Sequence, residues 1–520
     1  MIFFKRQSGS SLTVTICATC ALSFAGITMV SFNSRDVGIT NFNINKTKAY
    51  YAAESGLEIG ISWFNNLKKA PKKYGPEAVI SDRDNIVING YHLNVSVIQP
   101  DSNRRKYDLI AEAKDSKGKI MATAVQNGIT FSSYQKRLLS IYGYDKNAFL
   151  GWGAGCEYYG DIFMNMNFIT DISCLQSQDK NKYYGKVFTS GRSGFNYGFS
   201  GKNDYSRGIQ LKYSKLNNSN YNSRYYRNER VIDGLDEIFI GGFEYTVPDI
   251  LPENAENLST DLSSDKVYDY NVIELVLGQD KIFEDLTGRD SPYIKFNDNG
   301  TFEFWYKRGD ECHPSKNYYS DGLRHPVDET IIYSPIAVKV FGTVRGRATV
   351  VTGVNKDIII DRDITYSSNS FNSDTDNPYK RILENGNDVL GLISGGDIYI
   401  PANPGGAEQD GGIDICGAIM ALGTDTYNPG GLYDKRGGMK CDKANYHVQN
   451  IHYINIYGSF AMRVAKVKIF GNRGYPGGIQ VYDRRFDDEL YPPGMPLITS
   501  SDGYLMVERN TVSGILHTDR

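Results

Sequence analysis

The sequence predicts an α+β N-terminal unit, a long membrane-length helix with a small antiparallel meander, followed by a large mainly-β domain of β-solenoid type. Three observations carry this. Residues 7–34 are uncharged, and their core, Leu12 to Phe32, is long enough to span roughly 30 Å as a helix. Residues 91–99, 106–114 and 119–131 alternate apolar and polar residues, with turn segments "PDSNRR" and "DSKG" between them. From about residue 150 onward, short apolar runs recur between glycines and asparagines with no helical period.

The helix has no stop signal after Phe32. Val37, Ile39, Phe42 and Ile44, then Ala49, Ala53, Gly56, Leu57, Gly60 and Phe64, follow a spacing largely of three and four, as on one helix face, and no proline occurs before Pro71. One helix over 10–68 is therefore expected. Gly38, Gly56 and Gly60 weaken it locally but leave room for close packing. Glu54 and Glu58 lie about a turn apart and are expected to be solvated. The sheet is expected over 78–132, so residues 10–132 form one unit.

In the larger part, 133–500, Ile358, Ile360, Ile364, Ile398, Ile400, Ile413, Ile415, Ile454 and Ile456 alternate with polar residues. Short strands with glycine corners argue for a parallel β-helix or an irregular sandwich, with no fixed repeat length. Residues 191–335 are less regular and loop-rich, with strands expected in "SPYIKFNDNGTFEFWYK", and 501–520 form a C-terminal strand or tail. Prolines in "DDELYPPGMP" (487–496) are expected to stop the last rung.

The charge balance is nearly even: 57 basic and 60 acidic residues give a formal charge of −3, so the whole chain has no electrostatic footprint for nucleic acid. Cys17 and Cys20 lie in the apolar run. Five cysteines lie outside it, so at most two disulfides and a free thiol would form in an oxidising compartment. Sequence proximity alone suggests Cys156–Cys174 and Cys416–Cys441. No CxxC lies outside the apolar run and the six histidines are scattered, so no zinc site or other cofactor is implied.

Lys5 and Arg6 precede the apolar run and predict an N-in orientation. Three readings fit the run: a secretory signal cut after Ser23-Phe24-Ala25, a plain anchor, or a short leader ending in Gly9 followed by a retained helix. "RQSGSSLTV", followed about forty residues later by "AYYAAESGLEIG", resembles the PilX-type minor pilins of type IV pili over about the first sixty-five residues. The resemblance implies cleavage by a prepilin peptidase between Gly9 and Ser10, a pilin-like unit over 10–132 after a leader of 1–9, and a helix that packs with other pilins. Major pilins carry Glu at the fifth mature position. Here it is Val14, which suits an initiating or tip subunit.

A second resemblance covers most of 145–500. "FGTVRGRATVVTG", "DIIIDRDITY", "DVLGLISGGDIYIP", "IDICGAIMAL" and "YDRRFDDELYPPGMP" are similar to a domain on large pilin-like bacterial surface proteins, including large competence minor pilins. It implies a β-solenoid on a pilin stem.

Candidate chemistry is sparse. "GWGAG" (151–155) lacks strand–helix context for a nucleotide loop, and "ECH" (311–313) and "SDTDNP" (373–378) read as exposed turns rather than metal sites. Tyr213–Arg230 interleaves basic and aromatic residues that can stack on bases or sugars. Asp361 and Asp363 are expected on one strand face, as a carboxylate pair would be, but alternating polar residues on a solenoid look the same. The expected function is a non-enzymatic type IV minor pilin, held in the inner membrane before assembly and displayed on the pilus afterwards. Its partners are other pilins, the assembly machinery and an unidentified surface ligand (polysaccharide, host surface or DNA). The alternatives are a DNA-capturing competence pilin and a membrane-tethered polysaccharide-active enzyme.

Overall fold

The computed structural model describes residues 10–67, 77–80, 86–100, 106–134, 136–142, 156–164, 169–171, 182–189, 210–212, 239–245, 271–274, 292–307, 318–320, 325–368, 386–401, 411–423, 426–427, 433–434, 437–441, 451–463, 478–497, 505–509 and 513–516. Helix α1 runs Ser10–Asn65. Its 56 residues make it about 84 Å long. Its last third lies on an antiparallel sheet of β1 (Glu77–Ile80), β2 (Val87–Ile88), β3 (Tyr91–Ile98), β4 (Tyr107–Lys114) and β5 (Ile120–Phe131). Strands β3, β4 and β5 pair in sequence, and β1 and β2 both pair with β3. β3 and β4 bury every second residue, as the alternation predicts. Leu93, Val95, Leu109 and Ala111 meet Ala49, Ala53, Leu57, Ile61 and Phe64 of α1 in one core.

This head is not completed by residues 10–132 alone. The strands Val507–Arg509 and Ser513–Leu516 pair antiparallel with β5, Val507 opposite Phe131 and Leu516 opposite Thr123. The large β-rich part is thus inserted between two neighbouring strands of the head sheet rather than appended after it. Ser132 N donates to Met506 O at 2.8 Å, and Leu505 N donates to Leu67 O at 2.8 Å, tying both crossings and the helix end together.

The inserted part is built from parallel pairings. In one stack, Asn271–Glu274 pairs with Thr330–Ser334, which pairs with Arg347–Thr352, then Val389–Ser394, then residues 418–421 and 459–462. Leu139–Ile141, Ile162–Met164, Val187–Thr189 and Phe243–Tyr245 continue it, all parallel. A second stack runs from Tyr293–Asn297 through Val338–Val344 and Ile358–Tyr366 to Ile398–Ile400 and Met439–Cys441. It also takes in residues 411–417, 451–458, Gly478–Tyr482 and Cys156–Tyr159. The alternating isoleucines named from the sequence are all buried between the stacks. Tyr293–Asn297 and Thr301–Lys307 form an antiparallel hairpin, with Gly300 at φ +81° in its turn. The chain joins this array in its middle, because Leu139–Ile141 lies beside 460–462.

Residues 483–497 do more than stop a rung. Apart from exposed Arg484, Asp487 and Asp488, they lie largely buried across the outer side of the first stack. Arg347 Nη2 donates to Tyr491 O at 2.7 Å, and Thr349 Oγ1 donates to Pro493 O. Gly391, Ala418 and Ser459 stand in register on neighbouring strands, a row of small residues. A Cβ on Gly391 would lie 2.7 Å from Thr349 Oγ1 and 2.9 Å from Met495 Sδ, so glycine leaves room for the segment's close approach.

Candidate functional site: an exposed helix and a clasped head

The residue types of α1 divide it into two lengths. From Leu12 to Phe32 its large apolar side chains are exposed, and it is one helix long and apolar enough to cross a membrane. Its hydroxyls turn inward on the helix itself: Thr19 donates to Thr15 O at 2.7 Å and Thr28 to Phe24 O. That satisfies polar groups that lipid would leave without partners. Arg35 and Asp36 then mark the end of the uncharged stretch. Beyond them Val37 (59 % exposed), Ile39, Phe42 (64 %) and Ile44 remain uncovered, before the head buries Ala49. The sequence places these four with the head-packing residues on one spacing. The structure separates them: the head covers only the later group, leaving an apolar collar outside any bilayer that the uncharged run would fill.

The later length packs tightly. A Cβ on Gly56 would lie 3.0 Å from Ala111 Cβ, and one on Gly60 would lie 2.6 Å from Leu109 Cδ2. Glu54 accepts from Tyr50 Oη at 2.7 Å and Glu58 is exposed, so neither is set up for chemistry.

Ser10 is the first described residue and is helical. Gly9, Lys5 and Arg6 lie outside the described residues, as do Cys174, "GWGAG", "ECH", "SDTDNP" and Tyr213–Arg230. Cys156 and Cys441 lie in strands of the second stack. Cys416 is a free, fully buried thiol, so the expected Cys416–Cys441 bridge is not formed. The register explains this. Cys416 stands opposite Tyr457, whereas Cys441 stands opposite Ile400 on a different strand pair. Burial pushes the Cys416 thiol well above its ordinary pKa, which keeps it protonated and unreactive.

Asp361 and Asp363 lie within a register shift of Ile358–Tyr366, between the paired Ile360 and Ile364. Burial raises the pKa of both. Asp363 Oδ1 accepts the backbone N–H of Asp414 at 3.0 Å, and Asp414 accepts from Asn455 Nδ2 at 2.8 Å. Asn455 Oδ1 in turn accepts from Ile479 N at 2.9 Å. These side chains form a ladder along the strand stack, holding backbone rather than facing a cleft. Among the described residues no group of three or more His, Cys, Asp or Glu is placed to hold a metal.

The junction between head and insertion is a charged clasp that no sequence motif announces. Lys136 Nζ lies 2.8 Å from Glu489 and 2.5 Å from Glu508. Ser132 Oγ also donates to Glu508, at 2.7 Å, and Ser133 bridges to Leu497. The partners are more than 350 positions apart in sequence, and no local spacing signals them.

No family model matches the chain, and no curated protein matches it. Among solved structures it is similar to the competence-associated pilin ComZ from Thermus thermophilus, at 10 % identity and a TM-score of 0.29, covering 91 % of this chain and 98 % of that one. Agreement at that level carries no argument. A long apolar N-terminal helix followed by a large mostly-β part fits a pilin-like fold, and it is the helix and head geometry that supports this description.

Proposed function

We propose that this chain is a minor pilin of a type IV pilus, anchored N-in before assembly and then packed into a filament through α1. The observation that carries the reading is the collar from Val37 to Ile44, apolar and exposed between the membrane-length run and the head. Four exposed large apolar side chains within eight residues call for cover, and neighbouring pilin helices would supply it. The two parallel stacks are read as a β-solenoid displayed by the head. Val14, in place of a carboxylate, and the bulk inserted at the β5 edge both favour a tip position, with adhesion or assembly rather than catalysis as the role.

Mass spectrometry of the mature chain tests this. A mature N-terminus at Ser10, with loss of filament incorporation when residues 1–32 are deleted, is expected. A mature N-terminus at Gly26, or a truncated chain that still co-purifies with filaments, would overturn it.

A further inference from the structure

The two stacks differ in what covers them. Arg347–Thr352 and Val389–Ser394 are buried on both faces, because residues 483–497 cover the outer one. The second stack has no such cover at its first strands among the described residues. There Tyr293, Lys295, Lys339, Arg362 and Tyr399 are partly or largely exposed, while Ile294, Val340, Ile360 and Ile398 point into the core. Register places Tyr293 beside Lys339 and Lys295 beside Phe341, so rings and cations alternate both along and across the strands.

Two of the cations, Lys339 and Arg362, are held in place. Lys339 Nζ lies 4.7 Å from the Tyr293 ring centre and donates to its hydroxyl at 3.0 Å. The Arg362 guanidinium lies 5.1 Å from the Phe341 ring centre and 3.8 Å from Asp361, with about half of its side chain (49 %) open to solvent. A guanidinium seated over a ring face makes its hydrogen bonds through its edge N–H groups, which the ring face does not occupy. Phe341 is nearly buried but lies outside the core between the stacks, so it serves as the seat for this group.

We infer that this open face of the second stack binds an acidic polysaccharide, with Lys295, Lys339 and Arg362 taking the sugar carboxylates and Asp361 and the tyrosine hydroxyls taking sugar hydroxyls. Three cations against two adjacent carboxylates, Asp361 and the Glu303 that stands opposite Lys295, still leave the strip net positive on a chain of net charge −3. A sparsely charged, hydroxyl-rich chain suits this mixture of donors and acceptors. A dense phosphate array would meet Asp361 unfavourably and finds few cations for its charge. The inference rests on surface display as proposed above, but its test needs no filament.

Purified full chain in detergent is presented with polygalacturonate, neutral dextran and a single-stranded oligodeoxynucleotide. Polygalacturonate is expected to bind, more weakly as salt rises, and dextran is not. The Lys295→Ala/Arg362→Gln double variant is expected to weaken binding at least about tenfold, with an unchanged unfolding midpoint because both side chains are exposed. Lys295→Ala alone, on an exposed side chain, serves should the double variant misfold. No polygalacturonate binding, equal binding of dextran, or an undiminished variant would overturn the inference. So would preferential oligonucleotide binding lost in the same variant, which would assign the face to nucleic acid. None of these outcomes bears on the mature N-terminus or on filament incorporation.

Discussion

The carboxylate of Asp357 accepts the backbone N–H of Asp397 at 2.8 Å, and Asp397 in turn accepts the N–H groups of Gly437 at 2.8 Å and Gly438 at 3.1 Å. Asp161 does the same for Lys186 N at 2.8 Å, and Asp388 for Gly346 N at 2.7 Å. Each of these aspartates stands before a strand and holds the corner of a neighbouring turn of chain. Asp397 is almost fully buried. Asp397→Ala would leave two buried donors without this acceptor, at a cost of about 2–4 kcal/mol. Asp397→Asn keeps an acceptor oxygen and is expected to cost less than half of that. Hydrogen exchange at Gly437 and Gly438 should rise sharply in the alanine variant. Unchanged protection there would show that the carboxylate does not hold the corner.

The Lys136 clasp makes the head–insertion junction sensitive to pH. Burial alone would lower Lys136, but Glu489 and Glu508 outweigh it and its pKa stands above the ordinary lysine value. Burial alone would raise Glu508, but hydrogen bonds from Lys136 and Ser132 outweigh it and hold it below the ordinary glutamate value. A raised base contributes fully below its unfolded pKa, and that contribution is lost as pH rises through the folded value. A lowered acid contributes fully above its unfolded pKa, and loses it as pH falls through the folded value. The clasp is therefore at full strength from about pH 5 to about pH 10 and loosens outside that window. Lys136→Met, which leaves the buried Glu489 without this cation, is expected to cost about 1–3 kcal/mol, discounted because Glu508 is half exposed. Adding Glu489→Gln should recover part of the loss. Limited proteolysis of the crossings at residues 132–138 and 497–505 reads it directly, and equal cleavage of wild type and Lys136→Met would exclude a clasp.

The helix glycines separate packing from propensity. Gly60→Val would drive a branched side chain into the fully buried Leu109 and is expected to destabilise the head by about 1–3 kcal/mol. Gly38→Ala meets nothing within 4 Å and should stabilise the isolated chain slightly, by about 0.5–1 kcal/mol, through helix propensity. Thermal unfolding followed at the head tyrosines should move in opposite directions for the two. A common direction would mean that α1 does not seat on β4 through Gly60.

Local periodicity makes much of this legible. The three alternating segments correspond to β3, β4 and β5 within a residue at each end, and the alternating isoleucines fall into the core. The helix extends nearly as far as its spacing, Ser10–Asn65. What periodicity does not carry is pairing between distant segments. Nothing in "VER" and "SGIL" says that they complete the sheet at β5, because a short alternating strand fits any edge with free donors. The Lys136–Glu489–Glu508 clasp is hidden for the same reason. Cys416 departs from expectation because nearness in sequence says little about cysteines on strands that face different neighbours. The "YPPGMP" prolines signal an end, but not that the segment lies buried across another sheet. That depends on the small-residue row Gly391, Ala418 and Ser459, contributed by three separate strands.

That buried crossing segment gives the last prediction. Arg347 joins it to the stack by donating to Tyr491 O, while its other guanidinium nitrogen lies 2.5 Å from Glu329. Arg485 adds a second fastening, bonded to the fully buried Asp483 and donating to Gly386 O at 2.7 Å. Arg347→Met removes the cation beside a largely buried Glu329 and is expected to cost about 3–5 kcal/mol. Arg347→Lys keeps the charge but loses the fork that reaches both partners, and should fall between wild type and Arg347→Met. If the segment is fastened as described, Arg347→Met should open a cleavage site within 483–497 under native conditions while the head core at Phe64 and Phe131 stays protected. Loss of head protection in step with the segment would mean instead that Arg347 supports the whole chain rather than the crossing alone.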